Sequence, residues 1–361
     1  RLVSLGIGDV TLPLPPVVCQ AMQKAVAEMG SEEGFRGYSP EGGYPFLKQA
    51  NIDKYARWGV KLNEEEVYVS DGAKVELGSI YDVLDVRDVL IPCPTYPAYY
   101  DDAILAGANV HHVTGDEGCH FLPPPPEKTD TPYLIFLCSP LNPRGVAYDK
   151  NGLCEWVNFA LKSGSLLVFD CAYEAYITDD RPHSIYEIEG ASGCAVEISS
   201  FSKSAGFTGV RLGWTVWPKD LKDRHGISLL GLWRRRQSAK SNGVSYISQR
   251  AGEAALSQEG EKAVKKQVAY YGENARLLRD VLLRCDITYY GGIHSPYLWV
   301  SCKKWGGSWA FFHFLLQNAH IISTPGVGFG EAGEGFVRLS SFGRRQDVIW
   351  ATEQIERVLR R

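Results

Sequence analysis

The chain has 361 residues, 45% of them hydrophobic and 12% aromatic, enough to bury a sizeable core and to divide into two domains. A formal net charge of -4 leaves no basic excess for phosphate backbones or anionic lipid, so neither nucleic acid nor membrane is an expected partner. No apolar run reaches membrane-spanning length, and the nine cysteines lack the close pairs that build zinc sites, so no metal is expected.

Residues 1–5 read as a strand, with no leader-like run, and the abrupt start points to a segment removed upstream. Short β-branched or aromatic runs follow at 66–69, 89–92, 109–113, 133–138, 166–170, 195–199 and 212–217. They alternate with helical patterns at 43–58, 97–105 and 149–161, each long enough for a crossover. This is the signature of an α/β fold whose large domain holds a mostly parallel seven-stranded sheet covered by helices. Val264, Val268, Tyr271, Ala275, Leu278 and Leu282 recur at steps of four and three, which puts them on one face of a helix. That helix is expected to open a smaller α/β domain, with strand-like runs at 287–290, 297–301, 321–324 and 336–340, one helix between them and another at the end. The expected division is 1–30 for an N-terminal part of the small domain, 31–257 for the large domain and 258–361 for the rest of the small one.

Pro123 to Pro126 read as a stiff surface connection, and Arg234, Arg235, Arg236 and Lys240 as a solvated or interfacial helix face. The glycine-rich string from Pro325 to Gly330 has Glu331 where the third glycine of a dinucleotide fingerprint belongs. Gly6-Ile7-Gly8-Asp9 fails the same test at Thr11, and Asp71-Gly72-Ala73-Lys74 continues with Val75 and lacks the Ser or Thr of a P-loop. All three read as turns on this ground.

The chemistry gathers at strand ends, where open α/β sheets bind ligands. Asp170 closes the run at 166–170, with Tyr173 three residues on; alone, Asp170 reads equally as a turn or cap. The next run ends in Ser200-Phe201-Ser202-Lys203, and Arg211 follows across a glycine-containing stretch. Two hydroxyls and a guanidinium beside a lysine suit a phosphate held next to an amine nucleophile. Asn142 stands between prolines after the run at 133–138, stiffened into a turn.

These three strings resemble the signatures of the fold-type I pyridoxal-phosphate aminotransferases. Wider strings resemble the LL-diaminopimelate aminotransferase branch of that family and cover nearly the whole chain. They include 35–43, Ser70-Asp71-Gly72-Ala73-Lys74, Pro94-Thr95-Tyr96-Pro97-Ala98-Tyr99, 202–214, Gly291-Gly292-Ile293-His294-Ser295-Pro296-Tyr297 and Gly333-Glu334-Gly335-Phe336-Val337-Arg338. The resemblance implies pyridoxal 5′-phosphate as cofactor, bound in the large domain, with Lys203 forming the Schiff base and then serving as general base and acid. Asp170 would face the ring nitrogen, Tyr173 and Asn142 the ring hydroxyl, and Tyr96 the ring face. Ser200, Ser202, Arg211, Lys74 and the backbone at Ala73 would hold the phosphate, joined by Tyr38 from the neighbouring subunit of a homodimer with shared active sites.

On the substrate side, the resemblance implies Arg338 as the clamp on the α-carboxylate, with Gly8, Lys74, Tyr96 and Asn142 beside it. Glu41 and Asn242 would read the distal end of a long amino acid, Glu41 arriving from the other subunit. The implied reaction interconverts LL-2,6-diaminopimelate plus 2-oxoglutarate with tetrahydrodipicolinate plus glutamate, in lysine biosynthesis, by ping-pong kinetics. The odd cysteine count without a disulfide framework favours a reducing compartment, a bacterial cytoplasm or a plastid stroma. Three features depart from the family pattern: Arg144 in place of threonine, Ser241 in place of an aromatic, and no N-terminal segment with a substrate-side tyrosine before Arg1. They leave open an aminotransferase for lysine, an aromatic or a dicarboxylic amino acid, a lyase on the same scaffold, or a non-catalytic protein that keeps the fold.

Overall fold

The computed structural model describes residues 1–85, 87–129 and 131–360. The chain opens on a two-residue strand, β1 (Val3–Ser4), and enters helix α1 (Pro16–Met29) at a proline, whose missing N–H has no intrahelical partner to lose in the first turn. Helix α2 (Pro45–Ala56) begins the same way and leads to β2 (Val67–Ser70) and the short helix α3 (Ala73–Ser79). Then come β3 (Asp88–Cys93), α4 (Pro97–Leu105), β4 (Asn109–Thr114), β5 (Leu134–Cys138), α5 (Lys150–Ser163) and β6 (Leu166–Asp170). Strands β7 (Ala195–Ser200) and β8 (Gly213–Val216) are followed by helices α6 (Leu229–Lys240) and α7 (Tyr246–Leu256).

The seven expected strands form one sheet in the order β2-β8-β7-β6-β5-β3-β4. All neighbours are parallel except at β8, which runs antiparallel to β7 and to β2. Every residue of β5 and β7 is buried, and the β5 run is accordingly apolar without alternation, whereas the edge strand β4 leaves Asn109, His111, His112 and Thr114 exposed. From β3 the chain crosses to β4 on one side, and from β5 to β6 on the other, so the strand order reverses between β3 and β5. A crevice opens at such a reversal, beyond the carboxyl ends of the strands.

Helix α5 shows how local sequence sets an element. Asp149 caps it by accepting the Gly152 N–H at 2.8 Å, and Gly164 ends it at φ 67°, a left-handed conformation that favours glycine. Leu153, Trp156, Val157 and Ala160 share one face and pack on β5 and β6; truncating Trp156 to alanine would cost about 3–5 kcal/mol. The pattern does not announce α1, α3 or α7. Helix α6 carries the basic run as a surface face, with Arg234 paired to Glu65, and Arg236 and Lys240 both paired to Asp82.

The 27-residue helix α8 (Gln258–Arg284) carries the expected apolar stripe. It is followed by β9 (Tyr289–Gly291), β10 (Tyr297–Ser301), α9 (Ser308–Phe314), β11 (Ile321–Ile322), β12 (Thr324–Pro325), β13 (Phe336–Ser340) and α10 (Arg345–Leu359). Four of these strands form an antiparallel sheet in the order β12-β13-β10-β9, while β11 pairs in parallel with β1. The expected strand at 321–324 is therefore two strands in two sheets, and β12 stops at Pro325, which has no N–H to extend a ladder. Along α8, Val264 packs on the core beneath β2 and β8, whereas Ala275, Leu278 and Leu282 belong to the core of the smaller sheet. The N-terminal residues divide likewise: Val3 lies in the small core and Val18 in the large one. We propose, on this packing, that the domain boundary falls within α8 near Tyr271, and that α1 belongs to the large domain although it lies within residues 1–30. Arg361 lies outside the described residues.

Candidate active site

The turn after β2 and the start of β8 are pressed together by glycines. A Cβ on Gly213 would stand 2.7 Å from the Ser199 carbonyl oxygen and 2.9 Å from Gly72 Cα. Gly72 has φ 111°, and the space its Cβ would fill holds the Arg211 guanidinium, 2.6 Å from that position. Arg211 itself sits at φ 64°, a left-handed conformation that costs a non-glycine residue about 1–3 kcal/mol, and its N–H donates to Phe207 O at 3.1 Å. Its Nη1 donates to Thr208 O at 3.2 Å and to Ser202 Oγ at 3.4 Å, while Ser200 Oγ accepts the Ser202 N–H at 3.0 Å. One end of the cleft is thus a cradle of guanidinium and hydroxyls beside the start of α3.

At the next strand end, Asp170 is only 6% exposed. Its Oδ2 accepts the Tyr99 hydroxyl at 2.7 Å and its Oδ1 the Ala172 N–H at 3.0 Å. Burial pushes the carboxyl up, and the two hydrogen bonds pull against it. Between this carboxylate and the opposite wall lies Lys203, whose Nζ donates to Gly8 O and stands 5.7 Å from the centre of the Phe342 ring. Burial lowers its amine to about 8; Asp9 opposes the shift, and Arg338 and Arg211 add to it.

Arg338 comes from the small sheet. Along β13 its neighbours Val337 and Leu339 face the small core, so alternation turns Arg338 to the other face, toward the cleft. It is 7% exposed, donates from Nη1 to Asn142 Oδ1 at 2.7 Å and from Nη2 to Gly6 O at 2.6 Å, and leaves Nε without a partner. Its guanidinium stacks on Tyr297, 4.3 Å from the ring centre, and on Phe329 at 4.8 Å. The Tyr173 and Tyr297 hydroxyls lie 2.9 Å apart.

One cleft of about 430 Å³ is lined by Gly8, Ala73, Lys74, Tyr96, Asn142, Asp170, Tyr173, Ser200, Ser202, Lys203, Arg211 and Arg338, twelve of the fifteen residues singled out in the sequence. Tyr38, Glu41 and Asn242 do not line this cleft; for Tyr38 and Glu41 the resemblance implies a place in the neighbouring subunit's site, which a single chain does not test. Tyr38 is 85% exposed, and Glu41 and Asn242 are exposed as well. The three lie together, because Ser39 Oγ donates to Val244 O and a Cβ on Gly243 would stand 2.7 Å from Ser39 Cβ. Sequence reasoning assigned no role to Tyr99 or Tyr297. Both stand inside strings that resemble the family, and Tyr99 lies on α4 three residues beyond Tyr96.

The sequence model of the family "Aminotransferase class I and II" matches residues 1–349. The chain belongs to that family. Among individual aminotransferases, it is similar to the LL-diaminopimelate aminotransferase of Bacteroides fragilis (strain ATCC 25285), 46% identical over 98% of this chain and 91% of the relative. Among solved structures it resembles the L,L-diaminopimelate aminotransferase from Chlamydomonas reinhardtii, with a TM-score of 0.93, 39% identity and coverage of 99% and 91% of the two chains. The aromatic aminotransferase from Pyrococcus horikoshii OT3 is more distant, with a TM-score of 0.88, 26% identity and coverage of 99% and 95%.

Aminotransferases of this family imply pyridoxal phosphate, and the cleft fits it on chemical grounds. A phosphate dianion suits the cradle of Arg211, Ser200 and Ser202, where Gly72 leaves the room that any side chain would fill. A protonated ring nitrogen suits the buried carboxylate of Asp170, which keeps acceptor capacity on both oxygens. An aldehyde needs an amine that is not fully protonated, and the Lys203 amine, lowered by burial, lines the same cleft.

Proposed function

We propose that the chain is an aminotransferase that interconverts LL-2,6-diaminopimelate plus 2-oxoglutarate with tetrahydrodipicolinate plus glutamate, a step of lysine synthesis. The observation that carries the reading is one cleft lined together by the Lys203 amine, the buried Asp170 carboxylate and the buried Arg338 guanidinium. The choice of substrate is supported by the 46% identical relative that bears this activity in its name.

Bound pyridoxal phosphate supplies an electron sink that stabilises negative charge at the substrate Cα. In this reading Ser200, Ser202, Arg211, Lys74 and the Ala73 backbone hold the phosphate, and Asp170 keeps the ring nitrogen protonated, positioned by Tyr99. Tyr173 and Asn142 donate to the ring hydroxyl, and Tyr96 packs on the ring face. Lys203 Nζ would be the residue that holds the cofactor covalently and, when its amine is free, the general base for the substrate Cα proton. Its lowered basicity leaves a usable fraction of free amine near neutral pH. Arg338 binds the α-carboxylate through its planar fork, with Asn142 and the Gly6–Gly8 backbone beside it, and burial of this pair excludes water from the ion pair.

The same reading makes the working unit a homodimer. Tyr38, Glu41 and Asn242 project from one exposed patch, away from their own cleft, which suits delivery of a phosphate contact and a distal-ammonium contact to a second copy. A compartment that keeps thiols reduced, a bacterial cytoplasm or a plastid stroma, suits a chain whose nine cysteines are all free.

Half-reaction spectroscopy tests the proposal. The protein loaded with pyridoxal phosphate should lose its visible band on addition of LL-diaminopimelate or glutamate, and keep it with meso-diaminopimelate, lysine or aspartate. Conversion only by the second group would retain the aminotransferase and reject the substrate; absence of any visible band would reject the role of Lys203. Double-reciprocal plots should be parallel, and intersecting lines would count against the two-step scheme.

A further inference from the structure

Tyr297, the first residue of β10, is buried and has Tyr173 as its hydrogen-bond partner. Gly8 covers the remaining side of its hydroxyl so closely that a Cβ there would collide with it. Two phenols that share one hydrogen bond cannot both donate in it, so one of them keeps its own proton free for a third group. We propose that Tyr297 is a positioning residue that donates its hydroxyl proton to Tyr173 Oη, and so turns the Tyr173 O–H toward the ring hydroxyl of the bound cofactor. This rests on the reading of Lys203 and Tyr173 given above.

The direction of the bond follows from what surrounds each phenol. The Arg338 guanidinium lies on the Tyr297 ring, 4.3 Å from its centre, and a cation there stabilises negative charge developing on that oxygen. Burial is the largest cause pushing both phenols up, and the Tyr297 hydroxyl adds to the push on Tyr173; Arg338 pulls both down, Cys138 pushes both up and Asp9 adds to the push on Tyr297. The phenol whose ring lies under the cation is the better donor, and that is Tyr297. A Tyr173 oxygen that accepts one hydrogen bond becomes in turn a stronger donor, because chained hydrogen bonds polarise one another. The pair is held by both domains: Tyr173 follows β6 of the large sheet and Tyr297 begins β10 of the small one. Phe342 closes the arrangement, with its ring edge-on to Tyr297 at 6.0 Å.

The test is Tyr297→Phe, which keeps the ring under Arg338 and removes only the hydroxyl. The readout is the pH midpoint of the visible band of the cofactor-loaded enzyme, without substrate. A weakened Tyr173 bond to the ring oxygen favours the protonated state, so the midpoint should rise by about half to one pH unit. In a Tyr173→Phe background the same substitution should shift nothing further, since the relay is already broken. The KM for carboxylate substrates should stay within about twofold while kcat falls, because a phenylalanine ring retains the stack on Arg338. An unchanged midpoint in Tyr297→Phe, or an equal shift in both backgrounds, overturns the proposal. A wild-type protein that shows no visible band would instead overturn the reading of Lys203.

Discussion

The amine of Lys203 should titrate near 8 in the apoprotein, against an ordinary value of 10.5. At pH 7.5 that leaves about a quarter of the amine free, compared with about one part in a thousand for a solvated lysine, a gain of about two hundredfold in nucleophile. Burial is the largest cause, so the shift should persist when neighbouring charges are removed. Asp9→Asn should move the midpoint further down and Arg338→Gln should move it up. Because Asp9 is exposed, its effect should stay below about one unit and shrink as salt rises. Competitive acylation of the apoprotein between pH 6 and 11, read by mass spectrometry on the Lys203 peptide, gives the midpoint without the cofactor. The sign is fixed: Lys203 should be slow to react below pH 7 and reach its plateau above pH 9, well before a solvated lysine would. A wild-type midpoint near 10 would refute the burial argument. A return to near 10.5 on removing Arg338 and Arg211 together would show instead that charge, not desolvation, lowers the amine.

Tyr99→Phe removes a hydrogen bond that holds the Asp170 carboxyl down, so that group should rise further, and cofactor affinity at pH 8 should fall by about three- to tenfold in equilibrium dialysis. Gly72→Ala puts a methyl group against the Arg211 guanidinium at a φ that alanine resists, and should weaken cofactor binding at least about tenfold while leaving secondary structure unchanged by circular dichroism. Arg338→Lys keeps the charge and loses the fork, so kcat/KM for both the amino donor and the oxo acid should drop by about a hundredfold, with the spectrum of the substrate-free holoenzyme retained. Mixing Lys203→Ala with Tyr38→Ala subunits should restore about a quarter of wild-type sites, because each mixed dimer would rebuild one complete site; no recovery would refute shared active sites.

What the sequence discloses and what it conceals divide along a physical line. Strand ends are legible, because an apolar run that stops at Asp170, at Ser200 or before Asn142 marks the rim of a parallel sheet, and open α/β sheets bind ligands on that rim. Helix starts are less so: no apolar periodicity marks α1, a 14-residue helix that begins at Pro16. The strand expected at 321–324 looked continuous because both halves are apolar, and only the pairing of Ile321 with Val3, across the whole chain, reveals the break.

Contacts made at long range were out of reach for the same reason. Tyr297 meets Tyr173 across 124 residues, and nothing in the local pattern distinguishes it from a core aromatic at the head of a strand. Arg144 is the opposite case, visible in the sequence as a departure from the family pattern that bears on the packing around Asn142. In the structure it is fully buried, its Nη1 donates to Phe121 O at 2.6 Å, and its Nε and Nη2 have no partner. It lies at the back of the turn that presents Asn142 to Arg338, and desolvation lowers the basicity of its guanidinium. A charge left in the interior with only one hydrogen bond works against folding, whereas a threonine there could not span the gap to Phe121. Placement of the reacting groups therefore follows from strand order and turn chemistry, whereas their acidity follows from burial that only the assembled domains create. The motifs locate Lys203; the cleft formed by β7, β13 and the Gly6–Asp9 segment makes its amine available.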